Sequence, residues 1–243
     1  MLVSHHHQFI YVKTFKSAST STEVALERFC RPKLTAADAV QPGAYDGPTG
    51  IVAPRGYRDP TSPFHAHMTA KAIKNELGRR IWSRYAKVCT VRNPYAKAVS
   101  WFWHQVQKGK IHLPNVDRET AIETFRHRLQ VRPNLPRDDL RHHINGRRCI
   151  DYPLRVEQLE WDLAAFCTDL GVTKPHLPSK KSGFHKVDLP FQRYYDAETA
   201  QIVANHYSLD FRSFGYDIES WQVRPLTKDI LPRTNTCAAA LSA

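Results

Sequence analysis

Three short apolar runs along the chain each give way to a helical pattern. Phe9-Ile10-Tyr11-Val12 reads as a buried strand. A turn of Lys and small hydroxyl residues follows, then a helix from Glu23 to Phe29 with Val24 and Leu26 to Phe29 on its apolar side. Ala86 to Val91 is a second strand ending at Arg92. Asn93 as N-cap and Pro94 at the first helical position open a helix to about Gln107. Cys149 to Val156 is a third strand, in which Pro153 marks an edge or a bulge because it cannot donate to a ladder. Glu157 to Leu170 then reads as a helix with Leu159, Leu163, Phe166 and Leu170 on one face, stopped by Gly171. Strand followed by helix, three times, predicts an α/β fold with a central parallel sheet flanked by helices. Its connections should be right-handed, and helix should exceed strand.

Between these units the pattern changes. Arg31 to Pro63 is dense in Pro and Gly, sustains no period, and is expected to be a loop covering one side of a substrate cleft. Thr69 suits an N-cap for a helix from Ala70 to Leu77, with Gly78 as its stop. Lys108 to Arg148 carries ten Lys/Arg against five Asp/Glu, with a helix at Ala121 to Leu129. It reads as a basic insertion beside the cleft or simply as a solvated face. Pro175 to Pro190 is loop, with Ser179-Lys180-Lys181-Ser182-Gly183 as a further candidate anion contact. Asp196 caps a last helix, Ala197 to His206, and Tyr207, Phe211, Phe214 and Tyr216 follow as a packing cluster. One domain over residues 1–220 and a tail over 221–243 are expected.

Charge narrows the partner class. The 243 residues carry a formal charge of +12 at pH 7, with 13 His besides. That balance suits an anionic partner such as a nucleotide, an acidic glycan, nucleic acid or a membrane surface, without choosing among them. The five Cys, at 30, 89, 149, 167 and 237, are widely spaced and form no CxxC. Neither a zinc ribbon nor a redox motif is indicated, and a reducing compartment is the simplest. No apolar stretch has the length of a signal or membrane segment, so a cytoplasmic location is expected. His5-His6-His7 reads as a flexible end.

The candidate chemistry centres on Phe9 to Leu26. Strand, small-residue turn and helix start make the geometry of an anion site, because the first helical amides lack internal partners and the helix dipole favours negative charge there. Lys16 supplies a full charge, and Ser17, Thr20, Ser21 and Thr22 supply hydroxyls. No Gly lies in the stretch and Lys16 precedes the hydroxyls, so this is not a Walker A loop. The same pattern fits a connection whose hydroxyls only cap the helix. Arg92, at a strand end, and Ser100, two turns into the next helix, could clamp another phosphate, or could be an ion-pair partner and a tolerated small residue. His65 and His67 would point the same way in an extended segment. Either could be a general base, a metal ligand or a packed ring.

Two motifs together carry a family resemblance. Phe15-Lys16-Ser17-Ala18-Ser19-Thr20-Ser21 resembles the 5′-phosphosulfate loop of the PAPS-dependent sulfotransferases, and Arg92-Asn93-Pro94 with Ser100 resembles their 3′-phosphate motif. Val156 to Gly171 and the ending Tyr194 to Tyr216, with its Phe214-Gly215-Tyr216, are similar to later parts of the same family. His65-Ala66-His67 resembles the His-Gly-His element of the glycosaminoglycan 2-O-sulfotransferases.

The resemblance implies a P-loop-kinase-like fold and transfer of a sulfuryl group from PAPS (3′-phosphoadenylyl sulfate) to a hydroxyl or amine, with release of PAP and no metal. It implies Lys16 on the phosphosulfate, residues Ser17, Ala18, Ser19, Thr20, Ser21 and Thr22 around the 5′-phosphate, and Arg92 and Ser100 on the 3′-phosphate. His67 would be the base, with His65 as helper or alternate. A carbohydrate acceptor, such as an acidic polysaccharide, fits the basic middle, and no specific nucleic acid is implied. Two departures stand out. Phe15 replaces the usual Pro, and Ala18-Ser19 stands where Gly is common, so a positive φ at Ser19 would carry strain. A Mg-dependent kinase with a degenerate P-loop, and a non-catalytic glycan or nucleic-acid binder, are the alternatives.

Overall fold

In the computed structural model, residues 1–31, 44–56, 59–178 and 187–223 are described. The candidate contact at Ser179 to Gly183, Cys237, most of the tail and part of the 31–63 segment lie outside them. Three strands are parallel: β2 (Phe9–Val12), β5 (Ala86–Val91) and β8 (Tyr152–Arg155). β5 lies between the other two, with Val12 opposite Cys89 and Val91 opposite Arg155. Pro153 lies on β8, an edge strand of the sheet, where its missing donor is tolerated.

The sheet extends beyond the parallel core in a way the sequence pattern does not announce. The first residues are strand β1 (Leu2–Ser4), paired antiparallel with β2, and His5–His7 form the turn between them rather than a flexible end. The 31–63 segment contributes β3 (Tyr45–Gly47) and β4 (Gly50–Val52), which continue the sheet in the order β3-β4-β1-β2-β5-β8. The described part of that segment therefore builds a sheet edge. At Gly50 a side chain would collide with the Val3 carbonyl, its Cβ falling 2.0 Å from that oxygen, so the close β1–β4 pairing demands glycine there. The sheet is mixed, parallel at its centre and antiparallel at one side.

Side-chain alternation buries the sheet on both faces. Ile10, Val12, Cys89 and Val91 pack with Ile73, Leu77 and Trp82 of α2 (Ala70–Arg84). Phe9, Tyr11, Val88 and Leu154 pack with Leu26 of α1 (Ser19–Glu27) and with Leu163, Phe166 and Cys167 of α6 (Leu159–Asp169). Gly78, at φ 77° and ψ 161°, interrupts the helical backbone at the expected stop, and a second helical stretch continues α2 beyond the kink to Arg84.

A third core joins α3 (Pro94–Gln107), α4 (Arg118–Val131), α7 (Ala197–His206) and α8 (Ser208–Phe214) around Phe102, Trp103, Phe125, Tyr194 and Phe211. Asp196 caps α7 through a capping box with Thr199. The basic middle is thus tied into the body of the fold. Ala121, Phe125 and Leu129 are buried, and α5 (Asp139–His142) leads into a small hairpin of β6 (His143–Ile144) and β7 (Arg147–Arg148). Helical residues outnumber strand residues among those described. Cys30, Cys89, Cys149 and Cys167 are free thiols. No helix among the described residues is long and apolar enough to cross a membrane.

Candidate active site

Parallel register brings the two candidate anion motifs to one edge of the sheet. β2 and β5 are neighbours, so the loop after Val12 and the turn after Val91 leave the sheet side by side. Thr14 Oγ1 donates to the Thr90 carbonyl at 2.6 Å, and Ser17 Oγ lies 3.1 Å from Thr90 Oγ1. Arg92 reaches back across the gap, its Nη1 donating to the Lys16 carbonyl at 3.4 Å. Burial draws the Arg92 guanidinium below its usual range while Glu157 opposes the shift; it stays cationic at neutral pH.

The loop itself differs from the expected form. α1 begins at Ser19, four residues before the predicted start. The positive φ angles fall on Lys16 (56°) and Ala18 (53°), so Ser19 opens the helix unstrained. Alternating left-handed residues turn successive backbone amides to one side, the arrangement of an anion nest. Three hydroxyls are committed to the loop's own scaffold. Ser17 bonds Thr14 at 2.6 Å, Ser19 donates to the Thr14 carbonyl at 2.7 Å, and Thr22 donates to the Ala18 carbonyl at 3.4 Å. The Thr22 amide also bonds the Ala18 carbonyl, at 3.2 Å, so candidate anion contact at this loop falls to the backbone amides before it and the predicted contact at Thr22 is not supported. Thr20 is half-buried, and Ser21 is buried.

Lys13 and Lys16 have separate fates. Lys13 turns inward to Glu23 at 2.5 Å, where Arg55 and the Met1 amine also converge on that carboxylate. Burial alone would raise the Glu23 carboxyl, but the amine, Lys13 and Arg55 outweigh it and hold it at about 2. A carboxyl lowered by folding stabilises the fold above its free value of 4.5 and loses that contribution as pH falls through about 2. Acid unfolding followed by circular dichroism should therefore begin below pH 4.5, and Glu23→Gln should flatten that limb. A Gln variant with an unchanged acid limb would remove Glu23 from this account.

Segments far apart in sequence fix Phe15, the residue before Lys16. Asp138 receives the Phe15 amide at 3.0 and 3.2 Å on its two oxygens and binds Lys97 Nζ at 2.7 Å. The usual Pro has no amide hydrogen, so Phe15 creates a donor and Asp138 answers it. Arg141 lies over the Phe15 ring, 4.5 Å to its centroid, and donates to the His67 carbonyl at 2.6 Å. Asp138 and Arg141 thus come from the basic middle to hold the loop, and nothing local in the sequence marks them. Glu157 was missed for the same reason. It accepts the Asn93 amide at 2.7 Å and the Tyr216 hydroxyl at 3.0 Å, tying the Arg92 turn to the C-terminal Phe-Gly-Tyr.

His67 is brought to the loop, while His65 is turned to other work. The His67 ring stacks on Phe15 with centroids 4.1 Å apart and planes 12° apart. Its Nδ1 is buried with no hydrogen bond among the described residues. Burial, then Lys13 and Arg141, push the imidazole down to about 4, with Asp138 opposing, so it is neutral at pH 7. His67 has φ 60°, so the segment turns and the expected same-side placement of the two rings does not hold. His65 Nδ1 meets the Ala66 carbonyl at 2.8 Å. No group of three His, Cys, Asp or Glu among the described residues could hold a metal ion.

Ser100 is half-buried on α3, one turn past Lys97 and beside Trp101, whose ring edge faces Phe15 at 6.4 Å between centroids. The expected cap of α3 is present, Asn93 Oδ1 accepting from Tyr95 at 3.0 Å. His142 and Arg148 pack against α8, through Asp210 and the Ser213 carbonyl.

Comparison with curated proteins found no match, and neither did comparison with solved structures. A sequence model of the sulfotransferase family matches residues 1–217, which take in the anion loop, Arg92, His67 and the closing Phe-Gly-Tyr. On that match across most of its length, the chain belongs to the sulfotransferase family.

Proposed function

We propose that this chain is a PAPS-dependent sulfotransferase with a P-loop-kinase-like core, acting on a hydroxyl or amine. One observation carries the reading. The Lys16 loop and Arg92 meet at adjacent parallel strand ends, joined by the Arg92–Lys16 hydrogen bond, with a neutral His67 stacked on the same loop. Two cationic positions side by side suit a donor with anionic groups at two places, which a single triphosphate cradle does not need. Amides from Ser17 to Ser21 would hold the 5′-phosphate, and Arg92 with Ser100 the 3′-phosphate.

The chemistry asked of these residues is positioning, charge stabilisation and removal of one proton. The bond from sulfur to the donor's bridging oxygen breaks, and its electron pair leaves with PAP, where Lys16 meets the charge. A bond from the acceptor oxygen to sulfur forms, and the acceptor proton passes to His67, with His65 as the alternate. A donor anion brought beside His67 would offset Lys13 and Arg141 and raise its basicity toward the working range. No metal has a part in this scheme. The acceptor carries negative charge in this reading.

His67→Ala tests the assignment. With labelled PAPS, sulfuryl transfer should fall about 10²–10⁴-fold while PAP affinity stays within a few-fold. Transfer by the unaltered free enzyme should hold through neutral pH and decline as pH drops toward about 4, where His67 gains its proton. Loss of PAP binding in the variant would make His67 a structural ring, and failure of the unaltered protein to bind PAP would end the proposal.

A further inference from the structure

A cavity of about 280 Å³ lies between α3 and α4. Small-molecule sites run from about 300 to 1,000 Å³, so this one suits a compact ligand. Its floor is apolar, made by buried Phe102, Phe125 and Leu129. Trp101 forms a wall, fixed by its Nε1 donating to the Asn134 carbonyl at 2.7 Å.

Two features distinguish the cavity from a packing gap. Gln105 lines it while only 8% exposed, and the Gln105 amide group makes no side-chain hydrogen bond among the described residues. The amide keeps some contact with solvent, which a polar ligand atom can replace with a hydrogen bond. Lys110, Arg128 and Arg132 also line it, all exposed, and no carboxylate does. An apolar floor, one internal amide and a cationic rim describe the complement of an amphiphilic anion.

We propose that this cavity seats the body of the acceptor, a compact aryl or acyl compound bearing a carboxylate or similar anion. The assignment rests on the sulfotransferase reading and narrows its acceptor class. Trp101 is the shared element. One part of it walls the cavity, and its edge faces Phe15, whose ring stacks on His67. The anionic group lies at the Arg128–Arg132 rim, the apolar body on Phe125 and Leu129, and a polar substituent at Gln105. A sugar ring would leave most of its hydroxyls facing this apolar floor unpaired, which disfavours it.

Calorimetric titration of the free protein and of its PAP complex decides the matter, with hydroxynaphthoate as probe and naphthol and glucuronate as comparisons. Hydroxynaphthoate should bind about tenfold or more tighter than naphthol, because a charge-assisted contact contributes about 1.5–3 kcal/mol, and glucuronate should not compete. Leu129→Trp, which fills the floor, should remove binding. The surface double variant Arg128→Glu with Arg132→Glu should weaken it about tenfold or more. Both should leave PAP affinity unchanged. Absence of hydroxynaphthoate binding in protein that binds PAP, indifference to the charge reversal, or preference for glucuronate would each overturn the proposal. Failure of the unaltered protein to bind PAP would remove the acceptor role, while hydroxynaphthoate binding to the free protein would still establish a ligand site.

Discussion

Lys16→Ala should lower sulfuryl transfer from labelled PAPS by about 10²–10³-fold, the scale of losing one charge-stabilising group at a transition state. The loop that carries Lys16 has three anchors besides that side chain. Asp138 grips the Phe15 amide, Thr14 is tied to the Thr90 carbonyl, and Arg92 takes the Lys16 carbonyl rather than its ammonium. Those three anchors survive truncation to Ala, which removes the charge. Lys16→Gly sharpens the test. At φ 56° a residue with a Cβ bears strain, so Gly should raise stability by up to about 1 kcal/mol. Its transfer rate should fall as far as that of the Ala variant. Rising melting temperature with falling rate would separate the charge from the loop's conformation. A Lys16→Ala enzyme retaining a third or more of the unaltered rate would show that Lys16 does not meet the leaving group.

Asp138→Ala should produce the largest loss of stability. Asp138 is 1% exposed and Lys97 3%, and the pair sits behind the anion loop. Removing the carboxylate leaves Lys97 with Asp210 alone, at 3.4 Å, and leaves the Phe15 amide unanswered. Breaking one side of a buried ion pair costs about 3–5 kcal/mol. For a chain of this size that is a fall in melting temperature on the order of ten degrees. PAP affinity should fall with it, since the loop loses its anchor. Asp138→Asn retains an acceptor for the amide but not the charge for Lys97, so it should recover PAP binding more than stability. Recovery of neither would mean that Asp138 acts only as a counter-ion.

Local signals were legible where the chemistry is local. The apolar run Phe9–Val12, the Asn93-Pro94 helix start, the Asp196 cap and the Gly171 stop each depend on neighbours within four residues, and each is found where the sequence places it. Parallel pairing followed from strand–helix alternation, and it brings the Lys16 loop beside Arg92. What stayed hidden depends on distant partners. β1 and β4 are three residues each, too short for a period to emerge, and are strands because they pair with each other. The committed hydroxyls of Ser17, Ser19 and Thr22 look identical in sequence to free ones; only the fold assigns their partners. The positive φ fell on Lys16 and Ala18 because the helix begins earlier than its apolar side suggests. Asp138 and Arg141 sit in a segment whose charge excess masks the two residues with fixed work.

The anchoring of Phe15 by Asp138 also orders events in time. The two residues are 123 positions apart. On a growing chain, β2 and α1 are synthesised well before the carboxylate that holds the loop between them. Local contacts can form early, but closing so long a span must await the entropy cost of the intervening chain. The Lys16 loop is thus completed late, when the middle segment docks. The shape of this loop thereby becomes a report on folding already finished.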